Sequence, residues 1–112
     1  MLNRCIELAS QLQNRKQRIA SIIVDKKGRI LSFGCNSYTK SHPRQAFYAE
    51  KCGQVHKVFL HSEISAIVNC KDQGYAIYTA RVDKKGNSLP CKPCEICSLA
   101  LSDAKISKVY HT

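Results

Sequence analysis

Three thiols crowd into one short string of this chain, Pro90-Cys91-Lys92-Pro93-Cys94-Glu95-Ile96-Cys97. Two residues between one cysteine and the next let both sulfurs turn toward a single ion, so the string has metal-ligand spacing. Upstream, His61 adds an imidazole, and Glu63 places a carboxylate two residues further on. An imidazole with two thiolates is a zinc donor set; Cys97 offers a further ligand that would close such a site into a structural one. On a regular helix Cys97 lies three residues beyond Cys94, and its sulfur can instead point toward a core. The chain has seven cysteines, an odd number, and its N-terminus Met1-Leu2-Asn3-Arg4 lacks the apolar core of a secretory signal. Reduced thiols are therefore expected in place of a disulfide framework. Cys5, Cys35 and Cys70 read as small buried apolar residues.

The elements that must position these groups follow from periodicity. Leu2, Cys5, Ile6, Ala9 and Leu12 recur at helical spacing, which predicts an amphipathic helix from Leu2 to Gln13. Ile19 to Val24, the turn Asp25-Lys26-Lys27-Gly28, and Arg29 to Phe33 read as a β-hairpin. From Cys35 to Leu60 the pattern breaks, with turn residues at Asn36, Ser37, His42-Pro43 and Gly53 and an apolar island at Ala46-Phe47-Tyr48-Ala49. A long loop holding a short helix is expected there, as the wall or lid of a site. Ile64, Ile67 and Val68 predict a helix over Glu63 to Cys70, opened by His61 and Glu63. Tyr75 to Val82 is strand-like, Asp83 to Leu89 is a polar loop, Pro90 precedes a second ligand-bearing helix that runs to about Asp103, and Ile106 to Tyr110 is a last strand. This order predicts an α/β sandwich with crossover helices, in which two helix N-termini converge on one ion.

The 112 residues fit one domain, with no room for a separate cofactor-binding unit. No apolar run reaches the roughly 18 residues of a membrane span, so a cytoplasmic protein is expected. The formal charge is +10, with dense clusters at Arg15-Lys16-Gln17-Arg18, Lys26-Lys27-Gly28-Arg29 and Lys84-Lys85. Such an excess attracts phosphate, on free nucleotides or on a polynucleotide; it also suits a plain basic surface.

His61-Ser62-Glu63 followed by Pro90-Cys91-Lys92-Pro93-Cys94 resembles, in order and spacing, the His-x-Glu and Pro-Cys-x-x-Cys signature of the cytidine deaminase superfamily. The loop from Cys35-Asn36 to Leu60 and the short tail look like small phage-type proteins grouped with cytidine and deoxycytidylate deaminases, which would place the chain in a host cytoplasm. The resemblance implies one deaminase domain over residues 1–112, an α/β/α three-layer sandwich whose short C-terminus leaves about four strands. It further implies Zn2+ held by His61, Cys91 and Cys94, with a position open to a water that attacks C4 of cytosine or C6 of adenine. Glu63 would shuttle protons. Asn36 would contact the sugar, or serve only as a turn residue; the backbone amide of Ser62, where alanine is frequent in the family, would face the base carbonyl. Tyr38, Phe47, Tyr48 and Tyr110 are stacking candidates, and Cys52, His56 and His42 a second zinc site. Past Tyr110 only His111 and Thr112 remain, so contacts in a homo-oligomer are expected to complete the pocket.

Two substrates suit this reading. The loop before His61 favours a free cytosine nucleotide in a closed pocket, whereas the charge favours cytosine or adenine in single-stranded DNA or RNA. A nonenzymatic zinc module that binds nucleic acid is the third reading; it predicts zinc ligated by protein alone and no use for Glu63.

Overall fold

The computed structural model describes residues 1–12, 16–57 and 59–112. Helix α1 (Leu2–Ser10) is followed by strands β1 (Arg18–Val24) and β2 (Ile30–Cys35), then helices α2 (Pro43–Lys51) and α3 (Ser62–Asn69). Strands β3 (Ala76–Val82) and β4 (Ser88–Leu89), helix α4 (Glu95–Asp103) and strand β5 (Lys108–His111) complete the chain. The first helix stops at Ser10, short of the expected end; Gln13, like Arg15 of the first basic cluster, lies outside the described residues.

The sheet runs β2-β1-β3, with β1 antiparallel to both neighbours. Because β1 occupies one edge of β3 along Ala76–Val82, the other edge is shared: β5 pairs in parallel with Ala76 to Thr79, and β4 antiparallel with Arg81 and Val82. Among the described residues the sheet therefore has five strands, one more than the pattern suggested, because β4 is two residues long and too short to show a period. The α4 crossover joins β3 to its parallel neighbour β5, as parallel pairing requires.

Alternation along the strands sorts side chains into two cores. Ala20, Ile22 and Val24 of β1 pack with Ala76, Ala80 and Val82 of β3 against Cys5 and Ala9 of α1. Ile23 and Ile77 face the opposite way and meet Tyr48 and Ala49 of α2, Ile64 and Ile67 of α3, and Ile96, Ala100 and Leu101 of α4. One helix on one face and three on the other make the α/β/α sandwich, and the period of two in the strands generates both layers.

Helix α3 lies unusually close to β2. A Cβ at Gly34 would overlap Ser62 O and Ala66 N and stand 2.9 Å from Ala66 Cα, so only glycine admits this approach. Ser32 Oγ donates to Ala66 O at 2.8 Å and Asn69 Nδ2 to Phe33 O at 3.0 Å, pinning the helix along its length. At the far end of the hairpin, Asp25 Oδ1 accepts from the backbone N–H of Lys27 and of Arg29, both at 2.9 Å, and Gly28 supplies φ 80°. The cluster Lys26-Lys27-Gly28-Arg29 is thus a turn at the end of the sheet opposite His61 and Cys94.

Candidate active site

Two helix N-termini meet at one end of the sheet. His61 is the N-cap of α3, with φ −80° and ψ 155°, and its side chain makes no cap bond, which leaves the imidazole to turn outward. Cys94 is likewise the N-cap of α4. Residues Pro90 to Cys94 precede this helix, which corrects the expected start directly after Pro90: Cys91 lies outside the helix, and Cys94 alone of the pair sits at its end. The residue before a proline is steered away from helical geometry, and Pro93 imposes this on Lys92. The segment is fixed by Thr112, whose carbonyl accepts from Cys91 N at 2.8 Å while its hydroxyl donates to Leu89 O at 2.6 Å.

His61, Cys94 and Cys97 bring their ligand atoms within 4.8 Å of one another. His61 Nδ1 stands 3.3 Å from Cys97 Sγ and 3.5 Å from Cys94 Sγ. A tetrahedral ion bound at roughly 2.0 Å to nitrogen and 2.3 Å to sulfur separates those atoms by about 3.5 Å. The donor chemistry and the spacing therefore fit zinc. Cys91 lines the same cavity as His61 and Cys94 but stands outside the tight triplet.

Electrostatics prepare the group unequally. Cys94 is pushed down to about 3, first by the hydrogen bond with Cys97 and then by that with His61, against the cost of burial. The Cys97 thiol is raised by the same bond to Cys94 and by burial. Cys91 is pushed up to about 12, mainly by burial and then by the Glu63 charge. His61 is raised because the Cys94 sulfur accepts from it, while burial opposes.

Glu63 is buried, 5% exposed, in the first turn of α3, where the helix dipole favours a carboxylate. Its Oε1 accepts from Ser62 Oγ at 2.7 Å. Ser62 Oγ contacts Ser21 Oγ at 2.9 Å, and Ser21 Oγ contacts Thr79 Oγ1 at 2.8 Å. A hydroxyl has one proton. Since that of Ser62 is directed at Glu63, Ser21 donates to Ser62 and Thr79 to Ser21. A buried chain of hydroxyls thus runs from the centre of the sheet to the carboxylate. Sequence reading missed Ser21 and Thr79, although a hydroxyl in the middle of an apolar strand run is the signal that could have found them.

These groups open into a cavity of about 410 Å³, lined among others by Ile19, Asn36, Tyr38, Phe59, His61, Ser62, Glu63, Cys91 and Cys94. That volume lies in the range of small-ligand sites. The segment from Cys35 to Leu60 forms one wall, as expected, with Ser37 N–H bonded to Leu60 O and Leu60 N–H to Lys40 O, both at 2.9 Å. Gln45 of α2 is fully buried and holds the approach to His61: its Oε1 accepts from His61 N at 3.1 Å, and its Nε2 donates to Lys57 O at 3.1 Å. Nothing in the string Arg44-Gln45-Ala46 marks this role.

Asn36 lines the cavity, with Oδ1 accepting from Ile19 N at 3.1 Å and Nδ2 donating to Gln17 O at 3.0 Å. Of the aromatic residues considered for stacking, Tyr38 lines the cavity, and Phe59, which had not been considered, joins it. Tyr48 belongs to the core, Phe47 packs edge-on against Tyr48 beneath Lys51, and Tyr110 stacks on Tyr78 at 4.8 Å. Those three are removed from the stacking set. His56 is on the cavity wall, whereas His42 caps α2 through Nδ1 and Cys52 packs against the core. Among the described residues, His61, Cys94 and Cys97 form the one close grouping suited to a metal, and no second site assembles from Cys52, His56 and His42.

The profile of the family described as "cytidine and deoxycytidylate deaminase zinc-binding region" matches residues 1–112. The chain belongs to this deaminase family. The fold agrees with solved structures: an apo dCMP deaminase from the cyanophage S-TIM5 superposes with TM-score 0.63 at 22% identity, over 98% of this chain and 77% of that one. A mutant cytidine deaminase from Mycobacterium tuberculosis gives TM-score 0.57 at 16% identity, over 99% of this chain and 82% of its own. A search of curated protein sequences gave no significant match. Membership of the deaminase family and a zinc-suited His/Cys/Cys group together support zinc-dependent deamination. Among the described residues, no helix is long and apolar enough to cross a membrane.

Proposed function

We propose that this deaminase-family chain hydrolyses the exocyclic amine of cytosine in a free cytidine or deoxycytidine nucleotide, using zinc on His61, Cys91 and Cys94 and Glu63 as the catalytic acid and base. The observation that carries the reading is the buried Glu63 carboxylate, oriented by Ser62 and sharing a cavity wall with His61, Cys91 and Cys94. Zinc in such a site acts as a Lewis acid that makes water nucleophilic near neutral pH.

The chain's own groups do the rest. Glu63 accepts the proton that the nucleophile loses, passes it to N3 of the ring, and returns a proton to the departing amine as ammonia leaves. The hydroxyl chain from Thr79 keeps one carboxylate oxygen engaged, and Glu63 lines the cavity. The backbone amide of Ser62, at the start of α3, meets the base carbonyl, and Asn36, which also lines the cavity, meets the sugar. Tyr38 and Phe59 cover the base.

A wall built from the loop before His61 supports a small ligand, as does the placement of the Lys26 to Arg29 cluster at the far end of the sheet. The competing reading, a single-stranded DNA or RNA substrate, draws on the +10 charge and on the exposure of Tyr38 and Phe59. Free thiols at all seven cysteines suit the reducing cytoplasm that the proposal assumes. The test is ammonia release by zinc-loaded protein from dCMP, CMP, cytidine, adenine nucleotides and a cytosine-containing oligonucleotide. Turnover of the mononucleotides alone supports the proposal; turnover confined to the oligonucleotide or to adenine contradicts it.

A further inference from the structure

We infer that Cys97 is a fourth protein ligand, so that this chain can close its zinc shell with His61, Cys91, Cys94 and Cys97 and hold the metal in a resting state without an open position. The inference rests on the zinc reading above and adds a ligand to it. Cys94 and Cys97 are separated by two residues at the start of α4, one at the N-cap and the other in the first turn, so both sulfurs lie on one face. Cys97 Sγ stands 3.3 Å from His61 Nδ1, closer than Cys94 Sγ at 3.5 Å. The ligand atoms of His61, Cys94 and Cys97 lie within 4.8 Å of one another, and Cys91 stands on the adjoining cavity wall.

Cys97 is 0% exposed and is absent from the cavity wall, whereas His61, Cys91 and Cys94 line it. Cys97 therefore approaches the cluster from the core side, whereas His61, Cys91 and Cys94 face the cavity. Protein ligands in all four positions make a structural zinc site; three with an open position make a catalytic one. With Cys97 bound, the four protein ligands would leave no position for water; without it, His61, Cys91 and Cys94 would leave one.

Cobalt substitution tests this directly, because thiolate-to-cobalt charge-transfer absorption grows with the number of sulfurs bound. Reduced protein is loaded with Co2+ and compared with Cys97→Ser, Cys97→Ala and Cys91→Ser, each checked for native circular dichroism. The expected result is that each Cys97 variant loses about one third of the band and about tenfold in Co2+ affinity, as does Cys91→Ser. Full intensity in both Cys97 variants with a reduced band in Cys91→Ser overturns the inference and leaves the three-ligand reading standing. Full intensity in Cys91→Ser with loss in the Cys97 variants overturns the closed shell and the assigned role of Cys91 together. Failure of every protein to bind Co2+ overturns both readings.

Discussion

Gly34→Ala puts a single methyl where α3 rests on β2, and its consequences can be worked from the contact. The new carbon overlaps Ser62 O and Ala66 N and sits 2.9 Å from Ala66 Cα, against an ordinary contact distance of 3.4 Å or more. All three atoms are backbone, so no side chain can rotate away; the helix must withdraw by roughly 1 Å. Overpacking of this kind costs about 3 kcal/mol, the upper end of the usual range, because the strain falls on main chain. In a domain of this size that lowers the melting temperature by about 13 °C. The withdrawn helix carries His61, Ser62 and Glu63, and a 1 Å misplacement at a reacting centre costs about 100-fold in turnover. The assay is deamination of the preferred cytosine nucleotide well below the melting point, with zinc content measured on the same sample. Wild-type melting and wild-type kcat in Gly34→Ala refute the packing argument. Lost stability with full kcat refutes the claim that this contact sets the position of Glu63.

Other perturbations separate the roles. Glu63→Gln is expected to keep zinc, by metal analysis, while kcat falls by at least about 1,000-fold, since one group serves as both acid and base; retained turnover contradicts the assignment. Thr79→Val interrupts the hydroxyl chain at its origin, with a stability loss of about 1 kcal/mol by chemical denaturation and a several-fold drop in kcat, whereas Thr79→Ser restores both. Equal kcat in the two variants excludes the chain as a positioning device. Asp25 is held below its ordinary 3.8, first by the backbone N–H of Arg29, so its contribution to the hairpin is present above 3.8 and is lost as pH falls through the lower folded value. An NMR titration of its carboxyl carbon should give a midpoint under 3.8, and a midpoint at or above that value contradicts the turn geometry.

The cysteine string and the His-x-Glu pair stood out because their spacing is local, but that spacing did not say which of the thiols lie closest to His61. The two cores were legible for the same reason, as Ala20, Ile22 and Val24 alternate with Ser21 and Ile23 in the plain period of a strand. Features resting on partners far apart in sequence were not. Gln45 reads as a surface helix residue until its side chain is seen bridging His61 and Lys57. Thr79 and Ser62 come together only because β1 carries Ser21 between them. Cys97 illustrates the boundary: its spacing left it either a further ligand or a core thiol, and only the packing of α3 beside α4 brings His61 to 3.3 Å from it. The start of α4 was misjudged because proline is accepted in a first turn as readily as before one, and the competition was settled by the tie between Cys91 and Thr112.

The central claim is that water, activated beside Glu63, replaces the amine of a cytosine nucleotide. Turnover of dCMP or CMP in H2(18)O measures it most directly, with ammonia and the oxygen isotope of the uracil product followed together. The account predicts one 18O at the former amine carbon for each ammonia released by the zinc-loaded protein, and neither in Glu63→Ala. Ammonia release without label, or labelled product formed at the same rate by Glu63→Ala, would contradict it.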